Sequence, residues 1–204
     1  MGWRYPSRVL PPYFVIIGVV ISSVGAVGYL IATLRGLVRP NRVSFFLWSV
    51  APLIAFAAQV RQGVGLESLM TFATGFMPFL VFLATFLNRN AVWKLTAFDV
   101  SCGVLSALGL VLWQVTRVGN VAIALSILAD GFAAIPTVVK AYRYPNTEAA
   151  WPWLATTVGV VLTVLTLKQF TFANAGFILY ILVLDTLMYL LVRFRLGARA
   201  EKSL

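Results

Sequence analysis

The sequence predicts an all-α, polytopic membrane protein with seven transmembrane helices, built as two parallel three-helix repeats joined by a linker helix. Composition, the spacing of charges and an internal repeat carry that expectation. Of the 204 residues, 61% are hydrophobic and 11% charged, with a mean hydropathy of +0.93. Soluble domains average about 45–50% apolar and about 25% charged residues. A chain this short has no water-soluble core large enough to hide so much apolar surface. The lipid bilayer is therefore the expected solvent and the first expected partner.

A helical span needs about 20 mostly apolar residues to cross roughly 30 Å of hydrocarbon, and charges punctuate this chain at that interval. The first span lies within 9–34, an uncharged stretch too long for the core of a signal peptide. The second fits 43–60 between Arg42 and Arg61, and the third 68–88 between Glu67 and Arg89. The fourth is 95–116, between Lys94 and Arg117, with Asp99 near its start. The fifth is 118–139, ahead of Lys140, with Asp130 at its middle. The sixth is 149–167 between Glu148 and Lys168, and the seventh 169–192 ends at Arg193 and contains Asp185. Runs this long lack the ten-residue alternation of barrel strands. The loops are short, marked by Gln62-Gly63-Val64-Gly65 and Tyr144-Pro145-Asn146, and leave no room for a soluble domain.

The net charge of +10 is spread over the ends of the apolar runs rather than gathered in one patch, so nucleic acid is not an expected partner. Five basic residues (Arg4, Arg8, Arg61, Arg117, Lys168) fall on the side of the N-terminus and eleven on the other. The positive-inside bias then puts the N-terminus outside and the C-terminus in the cytoplasm, in the plasma (inner) membrane. With no His and a single Cys, Cys102, the chain offers no His/Cys metal cluster, no intrachain disulfide and no cofactor site. Lipid-facing apolar surfaces resemble interfaces, so a homo-oligomer is compatible with the sequence.

The repeat appears at Arg39-Pro40-Asn41 and Tyr144-Pro145-Asn146, each Asn followed seven residues later by Trp, at Trp48 and Trp153. The offset is 105, and Gly28-Tyr29 and Gly131-Phe132 correspond approximately upstream. This maps helices 1–3 onto 5–7 in one orientation and divides the chain into 1–94, a linker helix at 95–117, and 118–204. Parallel repeats with a solute site between the halves are a known transporter plan.

Ile135-Pro136-Thr137-Val138-Val139-Lys140-Ala141-Tyr142-Arg143, followed by Asn146-Thr147-Glu148, resembles the Pro-Gln loop signature of the PQ-loop and SWEET superfamily. Thr137 stands where that family has Gln, and Ile31-Ala32 where its first copy has Pro-Gln. The resemblance implies a three-plus-one-plus-three layout and a carrier for a small solute, moved by facilitation or with protons. Sugar facilitators, nicotinamide riboside carriers and lumenal retrieval receptors share that layout, so substrate stays open. A non-transporting receptor or scaffold is the alternative.

Asp130 and Asp185 are the leading candidates for contact with a solute or proton. A charged side chain at mid-membrane costs at least ~2.5–3.5 kcal/mol, so such residues usually serve a function or a partner. Ser126, Asp130 and Thr137 share one face of helix 5, and Asn174, Asp185 and Tyr189 one face of helix 7. No Lys or Arg lies at similar depth. Asp99, nearer the surface, is expected to pair with Lys94 or Arg89. Trp48 and Trp153 present either stacking faces for a solute or interfacial anchors, being about 7–8 Å into their helices. Gln59 is either a solute contact or an interfacial polar residue. Pro52, Pro136 and Pro152 are candidate hinges, with Pro78 a further interruption, since each removes a helical hydrogen bond. Ser22, Gly25, Gly28 and Gly103 are expected to admit close helix packing. No Ser–His pair, His acid–base pair or phosphate-binding glycine loop is present, so no enzyme is expected.

Overall fold

A computed structural model describes residues 10–88, 93–116 and 119–197. Arg4, Arg8, Arg89, Arg117, Arg199 and Lys202, all counted in the charge bias, lie outside them. The described residues form seven α-helices and no strand: α1 (Phe14–Leu34), α2 (Arg42–Arg61), α3 (Ser68–Leu87), α4 (Ala97–Thr116), α5 (Gly119–Arg143), α6 (Ala150–Leu165) and α7 (Phe172–Phe194). A single 3-10 turn, Pro145–Thr147, precedes α6. Five helices, α1, α2, α3, α5 and α7, are long and apolar enough to cross a bilayer. The 16 residues of α6 rise only about 24 Å, whereas α4 runs over 20 residues with Asp99 in its first turn.

The faces of α1 are those of a helix in lipid. Its outward stripe is large and aliphatic (Ile16, Val20, Val24, Ile31), with Val24 58% exposed. Its buried stripe is small or polar: Gly18, Ser22, Gly25, Tyr29 and Thr33. Water would favour the reverse, whereas a bilayer rewards small residues where backbones must approach. The helices thus point to an integral membrane protein.

Local chemistry fixes the ends of the helices. Gly36 (φ 73°) and Gly63 (φ 77°) adopt the left-handed conformation that closes α1 and α2. In both, a residue just beyond the glycine donates back across the last turn, Leu37 to the Ala32 carbonyl and Val64 to that of Gln59. The Asn41 side-chain Oδ1 accepts from the backbone N–H groups of Val43 and Ser44 and so opens α2. Asp99 forms no ion pair among the described residues, which corrects the expectation of a Lys94 partner; Arg89, the other expected partner, lies outside them. Asp99 closes a capping box with Thr96, whose N–H and hydroxyl both donate to it at 2.6 Å. The Asn41 amide donates to its second oxygen, also at 2.6 Å.

The α5 helix also runs past Lys140, which the sequence reads as its boundary. Lys140 is 2% exposed and pairs with Glu148, so it is no solvated loop residue.

Helix α3 packs between α1 and α2, and α7 between α5 and α6. Across the middle α1 lies against α6 and α2 against α5, while α4 packs chiefly on α5. The α1–α6 contact is closest at Gly18 and Gly159, where a Cβ on Gly18 would fall 2.4 Å from the Gly159 carbonyl oxygen. Gly25 meets Ala155 and Pro152 in the same contact, and Gly103 meets Val43; Gly28 faces open space. Gly18→Val is therefore expected to destabilise the fold by about 1–3 kcal/mol. Gly28→Ala is expected to be neutral or stabilising by up to about 1 kcal/mol. Thermal unfolding in detergent compares the two; equal midpoints would remove the tight role assigned to Gly18.

Candidate functional site

A cavity of about 90 Å³ lies where α1, α2, α3, α5, α6 and α7 meet. At about 10–15 Å³ per water it has room for several. Four of its aromatic residues form a closed circuit of ring contacts. Tyr29 stacks on Phe45 with centroids 5.3 Å apart, and Phe45 meets Trp48 edge-on at 5.2 Å. Trp48 meets Trp153 at 5.9 Å, and Trp153 returns to Tyr29 at 6.1 Å. All four line the cavity. They form its floor on the side of the α1–α2 and α5–α6 loops.

This arrangement decides between the two readings of the tryptophans. Trp48 is 5% exposed, and its Nε1 donates to the Asp130 backbone carbonyl at 3.3 Å. Trp153 has a buried Nε1 with no hydrogen-bond partner. Neither behaves as a surface anchor. Counting residues into a helix does not give the direction in which a side chain points.

Asp130 and Asp185 line the same cavity. Asp130 is 1% exposed; its Oδ2 accepts from the Tyr180 hydroxyl at 2.7 Å, and its Oδ1 has no partner. Tyr180 thereby fixes one carboxylate oxygen and leaves the other without a donor among the described residues. Asp185 is buried as well and makes no ion pair among the described residues. Among the described residues no Lys or Arg is in the wall, which carries two carboxyl groups. Hydroxyls are supplied by Ser22, Thr74 and Thr156, of which Ser22 donates to Thr156 at 3.3 Å across the α1–α6 contact.

The chain matches no family model, no curated protein and no solved structure. Its own chemistry has to identify the site.

Several expected site residues lie elsewhere. Gln59 is fully buried outside the cavity wall, its Nε2 donating to the Ala173 carbonyl at 3.2 Å to tie the end of α2 to the start of α7. Asn174 sits in the first turn of α7, its amide donating to the Gln169 carbonyl at 3.1 Å, so it stabilises a helix end. Ser126 and Thr137 are buried beside the cavity rather than in its wall; Thr137 donates to Ser44 at 2.9 Å. Pro52 and Pro136 lie inside α2 and α5, where they free the carbonyls of Trp48 and Phe132. Pro152 is the third residue of α6, where no intrahelical bond exists to lose. It lines the cavity but does not interrupt its helix.

Below the aromatic floor is a cluster the sequence does not single out. Lys140 and Glu148 form an ion pair whose side chains are 1% and 0% exposed. The Tyr29 hydroxyl donates to Glu148 at 2.8 Å, and the Lys140 ammonium donates to the Arg39 carbonyl at 2.6 Å. The Arg39 N–H in turn donates to the Thr147 carbonyl at 3.0 Å. The α1–α2 and α5–α6 loops are thus bonded to each other from both sides of the Arg39 residue. At the opposite end of the bundle the helices close on an apolar cluster that includes Ala55, Met70, Ile123 and Phe177.

Proposed function

We propose that this protein is a seven-span carrier that moves a small polar or amphipathic solute by alternating access. Helices α1–α3 rock against α5–α7 around the central cavity, and α4 is the linker that gives both triplets one orientation. The observation that carries the reading is the composition of the cavity wall: all six triplet helices contribute to it, and none of the described α4 side chains does. Transporters built from parallel repeats hold their solute at such a junction.

Packing order and residue offsets support the repeat. In each triplet the third helix lies between the first two, and the cross-contacts α1–α6 and α2–α5 exchange when the triplets are exchanged. Trp48 and Trp153 are 105 residues apart; Ala26 and Asp130, like Val81 and Asp185, are 104 apart, and all six line the cavity. This is the layout the PQ-loop and SWEET-like resemblance implies. The two ends of the cavity differ in kind. One is held by the Lys140–Glu148–Tyr29 cluster and the other by apolar packing. Each can open while the other stays shut. The charge bias supports a cytoplasmic position for the former end, and we take the plasma membrane as the site of the carrier.

The test is efflux from proteoliposomes loaded with a mixture of sugars, amino acids and small amines, followed by mass spectrometry. At least one solute is expected to leave faster than from protein-free vesicles. Asp130→Asn is expected to slow it by about tenfold, the equivalent of about 1.4 kcal/mol. If every solute leaves at the protein-free rate, the carrier reading falls and a receptor of the same layout replaces it.

A further inference from the structure

The cavity has a polarity that narrows its cargo, and we infer that it takes a small organic cation, a protonated or quaternary amine, held between Asp130 and Asp185 and the aromatic floor. This rests on the carrier reading in taking the cavity as the solute site. Two kinds of observation, the wall's charges and its surfaces, point to the same ligand.

The first is the missing countercharge. Among the described residues no Lys or Arg lies beside Asp130 and Asp185 in the wall, and the buried cation Lys140 is already paired with Glu148. Buried charges are ordinarily paired, because an isolated one is expensive away from water. Asp130 lines the cavity, and its Oδ1 is buried with no hydrogen-bond donor among the described residues, although Tyr180 satisfies its neighbour Oδ2. A donor that no side chain supplies is available from a cargo carrying N–H groups or positive charge.

The second is the floor. Tyr29, Phe45, Trp48 and Trp153 give four rings in mutual contact beneath the two acids. Aromatic faces attract an alkylammonium ion through their quadrupole, most strongly where water is excluded, and Trp is the best of them. The same rings accept the alkyl surface of such an ion. A bare metal ion is a poorer fit. It needs six or more oxygens in a shell, whereas the wall adds only three aliphatic hydroxyls to its carboxylates, the Tyr29 hydroxyl being bonded to Glu148, and no three metal-ligating side chains gather among the described residues. A sugar fits the rings but leaves two carboxylates without a charge partner.

The two acids both come from the second triplet, and their counterparts in the first are Ala26 and Val81. The cation is therefore held off the pseudo-symmetry axis, against α5 and α7. This makes the second triplet the one that carries selectivity.

Equilibrium dialysis of the purified protein in detergent tests the inference, with choline and n-butylammonium as probes and 3,3-dimethylbutan-1-ol and pentane as their uncharged shapes. Both cations are expected to be retained at least about tenfold better than the neutral forms. Asp130→Asn and Asp185→Asn are near-isosteric and should each abolish most of that preference. Their thermal midpoints, measured alongside, separate loss of binding from loss of fold, and Asp99→Asn serves as a control whose binding is unchanged. Equal retention of charged and neutral probes overturns the inference. So does retention of neither while a neutral solute still crosses proteoliposomes, which leaves the carrier reading intact. Retention of the cations by a protein that moves no solute has the opposite meaning: the cation site stands and the carrier reading falls.

Discussion

Replacing Lys140 by Met is expected to cost about 3–5 kcal/mol of stability, the largest effect of any single substitution considered. Glu148 has 0% side-chain exposure, and its compensating charge is the Lys140 ammonium. Without it the carboxylate keeps only the Tyr29 hydroxyl, and the Arg39 carbonyl loses its charged donor. A midpoint drop on the order of 10 °C in detergent would accompany that loss. The double variant Lys140→Met/Glu148→Met distinguishes a costly charge from a costly shape. It removes both charges at similar volume, and such replacements of buried pairs are often neutral or stabilising. The double variant should therefore unfold well above the single one. If the two unfold together, packing of the Lys140 stem rather than its charge holds this end of the bundle. Relief of the latch also has a functional sign. A stable double variant should favour the state open at the loop end, with more rapid thiol labelling of a cysteine placed at Val81, which is 2% exposed here.

Helix positions were legible because their cause is one-dimensional. Charges cannot stay in hydrocarbon unless paired, so they mark span ends, and the structure agrees with the sequence bounds to within five residues. The same rule failed where pairing occurred. Lys140 and Glu148 read as two boundary charges, eight residues apart, and the turn Pro145–Thr147 brings them into contact inside the protein. Nothing in the spacing signals that a lysine eight residues before a glutamate will be buried with it. Asp130 and Asp185 were legible because an acid at mid-membrane needs a reason, and both line the cavity. Gln59 and Asn174 were not distinguishable from them by position on a helical face. Each bonds a backbone carbonyl at a helix end, a partner that only the tertiary arrangement supplies. Tyr29, Phe45 and Tyr180 were missed because aromatic residues are common in membrane helices. The approximate match of Gly28-Tyr29 to Gly131-Phe132 was the one hint of the first, and Tyr180 had none.

A disulfide between the two loops is expected to stop transport almost completely, at least about tenfold, and its reduction to restore it. The Arg39 N–H donates to the Thr147 carbonyl at 3.0 Å, and both residues are at least partly exposed. Neighbours joined by a backbone hydrogen bond lie within the Cα separation that a disulfide tolerates. Arg39 belongs to the first triplet and Thr147 to the second, so the bond Arg39→Cys/Thr147→Cys would tie together the two bodies that must separate for this end to open. The native Cys102 is buried in α4 and is removed as Cys102→Ala to keep the oxidation unambiguous. A control pair within one triplet is Leu34→Cys/Asn88→Cys, at positions brought close by the Asn88 side-chain Nδ2 donating to the Leu34 carbonyl at 2.8 Å, with closure of its disulfide checked by loss of free thiols. Both of its residues belong to the first triplet, so its oxidation should leave flux unchanged. Binding to the cavity need not change with either cross-link, since neither touches the wall. Alternating access requires that combination, in which a site is retained and only its exit on one side is lost. Undiminished flux through fully oxidised Arg39→Cys/Thr147→Cys protein would show that the triplets do not part at the loop end. The Lys140–Glu148–Tyr29 cluster would then be a permanent structural tie, and the path for solute would have to run through another face of the cavity.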